Sequence, residues 1–226
     1  MLERMKLLVD DDVITRLKDI KVLIVGIGGV GGACFEALVR LGVTNITVVD
    51  NDKFSKSNLN RQLLSNINNI IGNLKVNEAV LRAKSINPDI IVETYEMFLN
   101  EANINEINIR QFDYVFDCCD TVTTKYILIK KCIDHGVKII SSMGTGNRLD
   151  PTKIVIKDIW KTNNDPLAKA MRKILRDNDI KTKIPVVTSD ELPIKTGVRE
   201  VGSVVFVPNV AGFYMASWLF SDIMDK

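Results

Sequence analysis

The sequence predicts an α/β fold: a Rossmann-like, mostly parallel sheet with helices on both faces and a C-terminal extension of strands and helices. Two observations lead to this prediction. From Lys21 to Ser142, apolar runs of strand length alternate with helical patterns, which is typical of a doubly wound sheet. A glycine-rich turn, Gly26–Gly32, follows the first apolar run, and such folds bind phosphate groups at this turn.

The first elements form a βαβ unit. Lys21–Gly26 has the composition of a buried strand, and Val30–Leu41 has a helical pattern that Gly42 ends. Asn45–Asp50 is the second strand, so its last residue is an acid at the C-terminal end. The elements predicted further along are a helix at Asn73–Ile86, a strand at Ile90–Tyr95, a short helix at Asn103–Asn108, a strand at Tyr114–Asp117, a helix at Thr123–His135 and a strand at Val137–Ser142.

The pattern changes after Gly144, where strands and helices no longer alternate regularly. We expect here a half-exposed strand at Lys153–Ile159, a basic amphipathic helix at Asp165–Asp177, an irregular segment at Ile180–Thr196, a strand at Ser203–Val207 and an apolar helix at Val210–Met224. No repeat or low-complexity linker separates the two parts. We therefore expect a single domain over residues 1–226, with a nucleotide-binding core at 1–146 and a substrate-side extension at 147–226.

The composition is that of an ordinary globular protein. Hydrophobic residues make up 46% and charged residues 26% of the 226 residues, so disorder is not expected. No apolar run approaches the length of a bilayer, and Met1–Lys21 is charged throughout, so we expect a cytoplasmic protein without a membrane segment. None of the four cysteines forms a C-x-x-C pair, which argues against a zinc site or a disulfide framework and favours buried free thiols: Cys34, Cys118, Cys119 and Cys132.

The glycine-rich turn predicts a nucleotide. Glycines let the backbone approach phosphate oxygens, and the helix N-terminus that follows supplies N–H groups and partial positive charge. The residues assigned to nucleotide binding are Gly26, Gly28, Gly29 and Gly31. A tight turn without a ligand is the alternative, and the turn alone does not say which nucleotide binds.

Two acids follow the second strand. Asp50 lies 19 residues beyond Gly31, where a carboxylate reaches ribose hydroxyls. A strand-end acid that caps a turn is the alternative for Asp50. Asp52 has two interpretations of equal weight: it assists at the ribose or a metal, or it caps a short helix near Ser55–Leu59.

Further polar residues indicate a triphosphate. Four polar residues stand where a simple dinucleotide-binding domain would only pack: Asn58, Arg61, Gln62 and Lys75. A cation there stabilises a leaving pyrophosphate. A solvated helix face is the alternative for Lys75. Asp117 and Asp120 flank the C-terminal end of a strand, where a carboxylate can bind Mg²⁺ bridging phosphates, and we assign Asp117 to nucleotide binding. Asp120 is also placed to cap the next helix.

Together these motifs resemble the ubiquitin-activating-enzyme-like superfamily (ThiF, MoeB and HesA proteins), whose members adenylate a carboxylate. The resemblance implies that Asp50 binds ribose, that Arg61 and Lys75 bind the triphosphate and that Asp120 binds magnesium. In related dimers an N-terminal arginine reaches the phosphates bound by the partner, and Arg4 is the best match. The residues that carry this resemblance are Gly26–Gly32, Asp50-x-Asp52, Asn58-x-x-Arg61-Gln62, Gly72-x-x-Lys75 and Asp117–Asp120.

The C-terminal third of the sequence resembles one family within this superfamily more than the others. No cysteine follows Cys132, so a thioester cannot form there. The tRNA threonylcarbamoyladenosine dehydratase family is similar at Gly144–Thr152, Asp158–Thr162, Asp165–Ala168, Ser189-x-Glu191-x-Pro193 and Gly202–Pro208. This resemblance implies an ATP-dependent cyclisation on tRNA through an acyl-adenylate, with ATP and Mg²⁺ as cofactors and a homodimer as the assembly. It leaves open a monovalent cation and a sulfur-transfer protein as a partner.

Two other functions remain open at this point. One is a carrier-protein adenylyltransferase that activates a C-terminal glycine, and the other is an NAD(P)-binding domain, which the phosphate-binding residues disfavour. Residues 147–200 carry 12 Lys and Arg against 8 Asp and Glu, whereas residues 1–146 carry 17 against 18. Because a tRNA enzyme needs such a basic region and a carrier activator does not, we assign tRNA binding to one face of the basic helix, formed by Lys169, Arg172, Lys173 and Arg176.

Overall fold

The computed structural model describes residues 1–68 and 72–225, in which seven strands form one sheet. The strands are β1 (Lys21–Val25), β2 (Asn45–Val49), β3 (Ile91–Tyr95), β4 (Tyr114–Asp117), β5 (Lys138–Ser142), β6 (Ile154–Asp158) and β7 (Pro185–Ser189). Their order is β3-β2-β1-β4-β5-β7-β6. All neighbouring pairs are parallel except β6 and β7, so the predicted mostly parallel sheet is confirmed.

The direction in which successive strands are added to the sheet reverses between β1 and β4, because β2 and β3 lie on one side of β1 while β4 and β5 lie on the other. Val25 on β1 pairs with Asp117 on β4 and with Val49 on β2, so the C-terminal ends of these strands meet at one edge of the sheet. In open α/β sheets, ligands bind in the crevice at this reversal point.

Helices cover both faces of the sheet. Val22 and Ile24 of β1 face one core and Leu23 and Val25 face the other, as the period of two in a strand requires. The first core also contains residues of α1 (Asp11–Asp19), α2 (Gly29–Leu41), α3 (Lys75–Ile86) and α6 (Phe206–Met224). The second core contains residues of α4 (Val122–His135) and α5 (Pro166–Asp177).

Most elements of the core agree with the sequence-based expectation to within one or two residues. α2 ends at Leu41 because Gly42 adopts a left-handed conformation with φ 92°. The half-exposed strand expected at Lys153–Ile159 is β6 at the sheet edge. The short helix expected at Asn103–Asn108 is a single 3₁₀ turn, Ile104–Glu106.

The strand predicted at Ser203–Val207 was wrong, because α6 begins at Phe206 and the residues before it form a loop. A short apolar run looks the same in a buried strand and at the start of an apolar helix. Pro208 does not interrupt this helix because it lies in the first turn, where N–H groups have no partner within the helix.

The segment expected to be irregular, Ile180–Thr196, contains β7, which lies between β5 and β6. Pro185 is the first residue of β7, a position where the missing N–H is tolerated. The sequence interpretation also missed α1. Among the described residues, no helix combines the length and apolar character that crossing a bilayer requires.

Candidate active site

A cavity of about 690 Å³ opens at the C-terminal ends of β1, β2, β4 and β5, and it falls in the size range of ligand sites. Its two halves come from different parts of the chain. One half carries the glycine-rich turn and the polar residues predicted to bind a triphosphate. The lining residues that we call the other half are Ser142, Met143, Gly144, Thr145, Gly146, Leu167 and Val201. Ser203 and Pro208 lie where the two halves meet, because Ser203 O accepts a hydrogen bond from Asn60 Nδ2 at 2.9 Å and Pro208 packs against Gly29.

The glycine-rich turn forms one wall of the cavity. Gly28 and Gly29 lie at the start of α2, where the first N–H groups of the helix have no helical partner. Gly26, with φ 91°, also lines the cavity. Gly31 does not: a Cβ there would lie 1.8 Å from the Gly26 oxygen, so this glycine serves the close approach of helix and turn. The prediction that Gly31 contacts the nucleotide is therefore corrected.

Asp50 orients this turn. Its Oδ2 accepts a hydrogen bond from the Ile27 N–H at 2.6 Å, and its Oδ1 accepts one from the Asp52 N–H at 2.7 Å. The carboxylate is partly exposed and lines the cavity. It therefore connects the end of β2 to the phosphate-binding turn and still presents oxygen lone pairs to the cavity.

Lys75 is the first residue of α3 and lies almost completely out of solvent, with 5% of its surface exposed. Its Nζ lies 2.7 Å from Asp52 Oδ2, and the backbone of the two residues is also joined, Lys75 N–H to Asp52 O at 3.0 Å. The solvated-face alternative for Lys75 is thus wrong. Both side chains line the cavity.

The loop at 58–62 lines the same half of the cavity. Asn58 is buried, and its Oδ1 accepts a hydrogen bond from the Ser55 N–H at 3.0 Å, so its amide fixes the loop. Arg61 Nη1 donates to Ser57 O at 2.7 Å and to Asn60 Oδ1 at 2.9 Å. The guanidinium is therefore retained on its own loop beside the cavity.

Gln62, one of the polar residues that indicate a triphosphate site in the sequence, lines the cavity. It is 7% exposed, and its buried Oε1 has no hydrogen-bond partner among the described residues. A buried polar atom without a partner is unfavourable, and a bound ligand or water can remove that cost. Its position directly after Arg61 is the sequence signal for this residue.

The two acids after β4 have different surroundings. Asp120 is exposed and lines the cavity, while Asp117 is completely buried and is not part of its lining. The carboxylate of Asp117 forms an ion pair with Lys125 below the cavity floor. The prediction that Asp117 contacts a nucleotide is therefore corrected. The helix-capping alternative for Asp120 is also wrong, because Thr121 is the N-cap of α4.

The cavity also contains thiols that are poor nucleophiles. Cys118 and Cys119 line it, and burial raises the pKa of both thiols well above the ordinary range, with the Asp117 carboxylate adding to the effect. A thiol with a raised pKa stays protonated at neutral pH and reacts slowly. All four cysteines are free.

Arg4 is exposed in the N-terminal segment and does not line the cavity of this single chain. Of the basic residues on α5, Lys169, Lys173 and Arg176 are exposed. Arg172 is half-buried instead, and its Nη1 donates to Thr162 O at 3.0 Å. The prediction of four equivalent solvent-facing cations is corrected to three, because the Arg172 guanidinium binds the loop before the helix.

The start of α5 belongs to the cavity wall. Asp165 caps the helix, its Oδ1 accepting from the Ala168 N–H at 3.0 Å. Its Oδ2 accepts from the Gly144 N–H at 3.0 Å and from Thr188 Oγ1 at 2.9 Å. One buried carboxylate thus joins the basic helix, the strand β7 and the loop that lines the second half of the cavity.

The geometry of the cavity suits a nucleotide with a charged phosphate chain. Comparison with known proteins identifies the family of the chain. The ThiF family model matches residues 2–221. The chain belongs to the ThiF family. A relative from Bacillus subtilis, a tRNA threonylcarbamoyladenosine dehydratase, is 37% identical over 98% of this chain and 93% of its own. An adenylyltransferase and sulfurtransferase of Saccharomyces cerevisiae is also 37% identical, but over 58% of this chain and 29% of its own.

A solved structure of a protein with a similar name to the B. subtilis relative matches nearly the whole chain. The Escherichia coli tRNA N6-threonylcarbamoyladenosine dehydratase in complex with AMP has a TM-score of 0.92 and 29% sequence identity, covering 98% of this chain and 93% of that one. The same E. coli protein in complex with ATP has a TM-score of 0.91. The resemblance expected from the motifs is thereby confirmed.

Proposed function

We propose that this chain catalyses the ATP-dependent cyclisation of the threonylcarbamoyl group on an adenosine of tRNA. The observation that carries the proposal is the divided cavity. Residues suited to a triphosphate form one part of its lining, and residues 142–146 with Leu167 and Val201 form another. Two substrates bound in these halves would meet at the C-terminal ends of β1 and β4.

The chemistry requires activation of a carboxylate, which is a poor electrophile by itself. An oxygen of the threonyl carboxylate attacks the α-phosphorus of ATP, and pyrophosphate leaves. The neighbouring carbamoyl group then attacks the activated carbonyl and gives up a proton to solvent, AMP leaves with the former carboxylate oxygen, and the ring closes with net loss of water from the modified adenosine. Because this attack is intramolecular, positioning alone lowers the barrier, and no enzyme nucleophile is required. The poorly reactive cavity thiols are consistent with such a mechanism.

Each nucleotide-facing residue has a role that its environment supports. The N–H groups at Gly28 and Gly29 bind phosphate oxygens at the helix N-terminus. Asp50 binds the ribose while it orients the turn. Lys75 and Arg61 neutralise the phosphate chain and the charge that develops as pyrophosphate leaves.

The cavity fits a magnesium ion that is bound together with the nucleotide. Mg²⁺ is usually held by one or two carboxylates together with waters and substrate phosphates. The exposed carboxylate of Asp120 offers such a ligand at the cavity, and no three Asp, Glu, His or Cys side chains converge elsewhere among the described residues. When bound, Mg²⁺ would neutralise phosphate charge, and Asp120 would orient it.

The basic face of α5 is the proposed tRNA contact. Lys169, Lys173 and Arg176 are exposed on the helix whose Leu167 lines the substrate half of the cavity. Cations at this position would bind phosphates of the RNA next to the reacting adenosine. Because tRNA is the proposed substrate, we infer a cytoplasmic location.

We also propose a homodimer in which Arg4 reaches the phosphates of the partner's nucleotide. α6 exposes Phe206 and Phe213, seven residues apart on one side of the helix, to 59% and 45%. The loop with exposed Leu59 and Leu63 lies beside the start of α6. An apolar patch of this kind is typical of a covered surface. A monovalent cation and a sulfur-transfer protein stay predictions from the resemblance, with no residues assigned.

The deciding experiment is a reconstitution. Purified protein, ATP and Mg²⁺ are incubated with tRNA that carries the threonylcarbamoyl group, and the nucleosides are analysed by mass spectrometry. We expect loss of one water from the modified adenosine and one AMP for each ring formed. A lack of this mass change, with AMP transfer to the C-terminal glycine of a carrier protein instead, would favour the carrier-protein adenylyltransferase.

A further inference from the structure

A completely buried ion pair lies beneath the floor of the cavity. Asp117, the last residue of β4, places Oδ2 3.1 Å from Nζ of Lys125 on α4, and both side chains are 0% exposed. Buried ion pairs contribute little net stability, because removing two charges from water costs about as much as their attraction returns. Stability alone therefore gives no reason for a charged pair at this place.

The hydrogen bonds of Asp117 reach the loop that carries Asp120. Asp117 Oδ1 accepts from the Cys119 N–H at 3.3 Å and from Cys119 Sγ at 3.0 Å. The next residue along the chain is Asp120, so these two bonds fix the backbone from which the exposed carboxylate projects into the cavity.

The hydrogen bonds of Lys125 reach the opposite half of the cavity. Its Nζ donates to Ser142 O at 2.6 Å and contacts Ser141 Oγ at 3.4 Å, while Ser141 Oγ donates to Asp117 Oδ2. Ser142 is the last residue of β5 and lines the substrate half. One ion pair thus connects the end of β4, next to Asp120, to the end of β5, which lines the substrate half of the cavity.

We propose that Asp117 and Lys125 form a positioning pair that sets the Asp120 loop relative to the substrate wall at Ser142–Gly144. Neither residue touches a substrate. The pair keeps the magnesium-binding carboxylate and the carboxylate to be activated at the distance that in-line attack requires. A misplacement of about 1 Å at a reacting centre costs on the order of 10²-fold in rate. The inference rests on the proposed cyclisation and assigns it two residues outside the cavity.

The test compares Lys125→Met, Lys125→Arg and Ser141→Ala with a control, Lys138→Met. Lys138 forms an ion pair with Asp222 at the other end of the same strand, β5, outside the cavity. For each variant, exchange of pyrophosphate into ATP is measured with modified tRNA, and magnesium-dependent ATP binding is measured by calorimetry without tRNA. Urea unfolding is followed in parallel.

We expect Lys125→Met to lower the exchange kcat by on the order of 10²-fold with little change in the KM for tRNA. It should also raise the Mg²⁺ concentration at which ATP binding is half-maximal. Lys125→Arg, which keeps the charge, should recover most of both values. Lys138→Met should have a lower free energy of unfolding, but its exchange kcat and the magnesium dependence of its ATP binding should stay as in the wild type.

A folded Lys125→Met variant with unchanged kcat and unchanged magnesium dependence would overturn the inference, and so would an equal loss in Lys138→Met. If Lys125→Met does not fold, Ser141→Ala decides, because it removes one hydrogen bond from Asp117 and keeps both charges. We expect a several-fold lower kcat for it, and a wild-type kcat contradicts the positioning role. Failure of the proposed function is a separate outcome, seen as no tRNA-dependent exchange in the wild-type protein.

Discussion

The Nζ atom of Lys75 lies 2.7 Å from Oδ2 of Asp52, and only one of the two partners is accessible: the lysine side chain is 6% exposed and the aspartate side chain 59%. The ammonium group of the buried lysine is therefore held at the exposed aspartate, and both residues line the cavity. This geometry gives Asp52 the role of orienting Lys75, beside the predicted role at the ribose or a metal. The helix-capping alternative for Asp52 is wrong, because Ser55 caps the short helix Lys56–Asn58.

Lys75→Ala should slow AMP formation by about 10²–10³-fold, because it removes a preorganised charge from the developing pyrophosphate. Asp52→Asn should cost less, because the amide oxygen still accepts a hydrogen bond from Lys75. Single-turnover formation of AMP from labelled ATP measures both rates. Lys84→Ala, an exposed lysine on the same helix, is the control. Near-normal turnover in Lys75→Ala would show that the phosphate role is wrong.

Arg61→Ala and Asp120→Asn should each reduce AMP formation to a similar degree, but in different ways. Arg61 must exchange its bonds to Ser57 and Asn60 for bonds to phosphate, and lysine lacks the planar fork for that geometry, so Arg61→Lys should restore little activity. Asp120→Asn should raise the Mg²⁺ concentration needed for turnover. Measuring turnover against Mg²⁺ separates the two effects, and an identical magnesium dependence in both variants contradicts the assignment.

The convergence of the proposed nucleotide-binding residues on one cavity was predictable, because these residues follow strand ends in short motifs. Gly26, Asp50 and Asp120 reach the cavity through backbone geometry that every parallel sheet shares. Asp117 was misassigned because sequence spacing places it at a strand end without showing that a buried lysine, Lys125, lies beneath it. The side-chain direction of a residue depends on such partners, which are distant in sequence.

The substrate half was less predictable for a related reason. β7 enters the sheet between β5 and the antiparallel edge strand β6, so its pairing depends on long-range contacts that leave little local pattern. The apolar run at Val204–Val207 is equally typical of a strand and of a buried helix start. Arg172 has the same spacing in the sequence as its exposed neighbours on α5. A helical pattern does not reveal that its guanidinium donates a hydrogen bond to Thr162 in the loop before the helix.

The cysteines should be dispensable for catalysis. A variant with Cys34, Cys118 and Cys132 replaced by Ala or Ser, and Cys119 replaced by Ser to keep the donor to Asp117, should keep its activity when it folds. Since burial raises the pKa of Cys118 and Cys119, the thiols stay protonated as pH rises through 8, and alkylation of the native protein should be slow there but fast in denaturant. Peptide mass spectrometry after timed alkylation measures this. A thiol-labile substrate adduct on any cysteine contradicts the mechanism without an enzyme nucleophile.

Asp165 should be a large contributor to stability, because its buried carboxylate accepts hydrogen bonds from Ala168, Gly144 and Thr188. Asp165→Ala removes a helix cap and leaves two further donors without their partner, so we expect a loss of about 2–4 kcal/mol in the free energy of unfolding. Urea unfolding at neutral pH measures it. Asp150→Ala, which removes the cap of an exposed 3₁₀ turn, is the control and should lose less. Equal losses would contradict the central role of Asp165.

The exposed cations of α5 can be tested for tRNA binding by charge reversal, but Arg172 is unsuitable. Arg172 donates to Thr162, so reversing it would disturb the fold as well as the surface. The suitable variant is Lys169→Glu, Lys173→Glu and Arg176→Glu, because these three side chains are exposed. It should weaken tRNA binding strongly and leave ATP binding intact, since the nucleotide half of the cavity is formed by other elements.

The salt dependence of binding identifies the physical cause. Each phosphate contact releases counterions, so the logarithm of the binding constant should fall against the logarithm of salt with a slope of roughly −0.7 to −0.9 per contact, and the triple variant should have a shallower slope than wild type. The matched control reverses Lys18, Lys84 and Lys130, which are exposed on other helices and carry the same charge. Filter binding and calorimetry measure tRNA and ATP affinity in parallel. If the α5 variant and the control lose tRNA affinity equally, the effect is one of net charge, and the α5 face is not the docking surface.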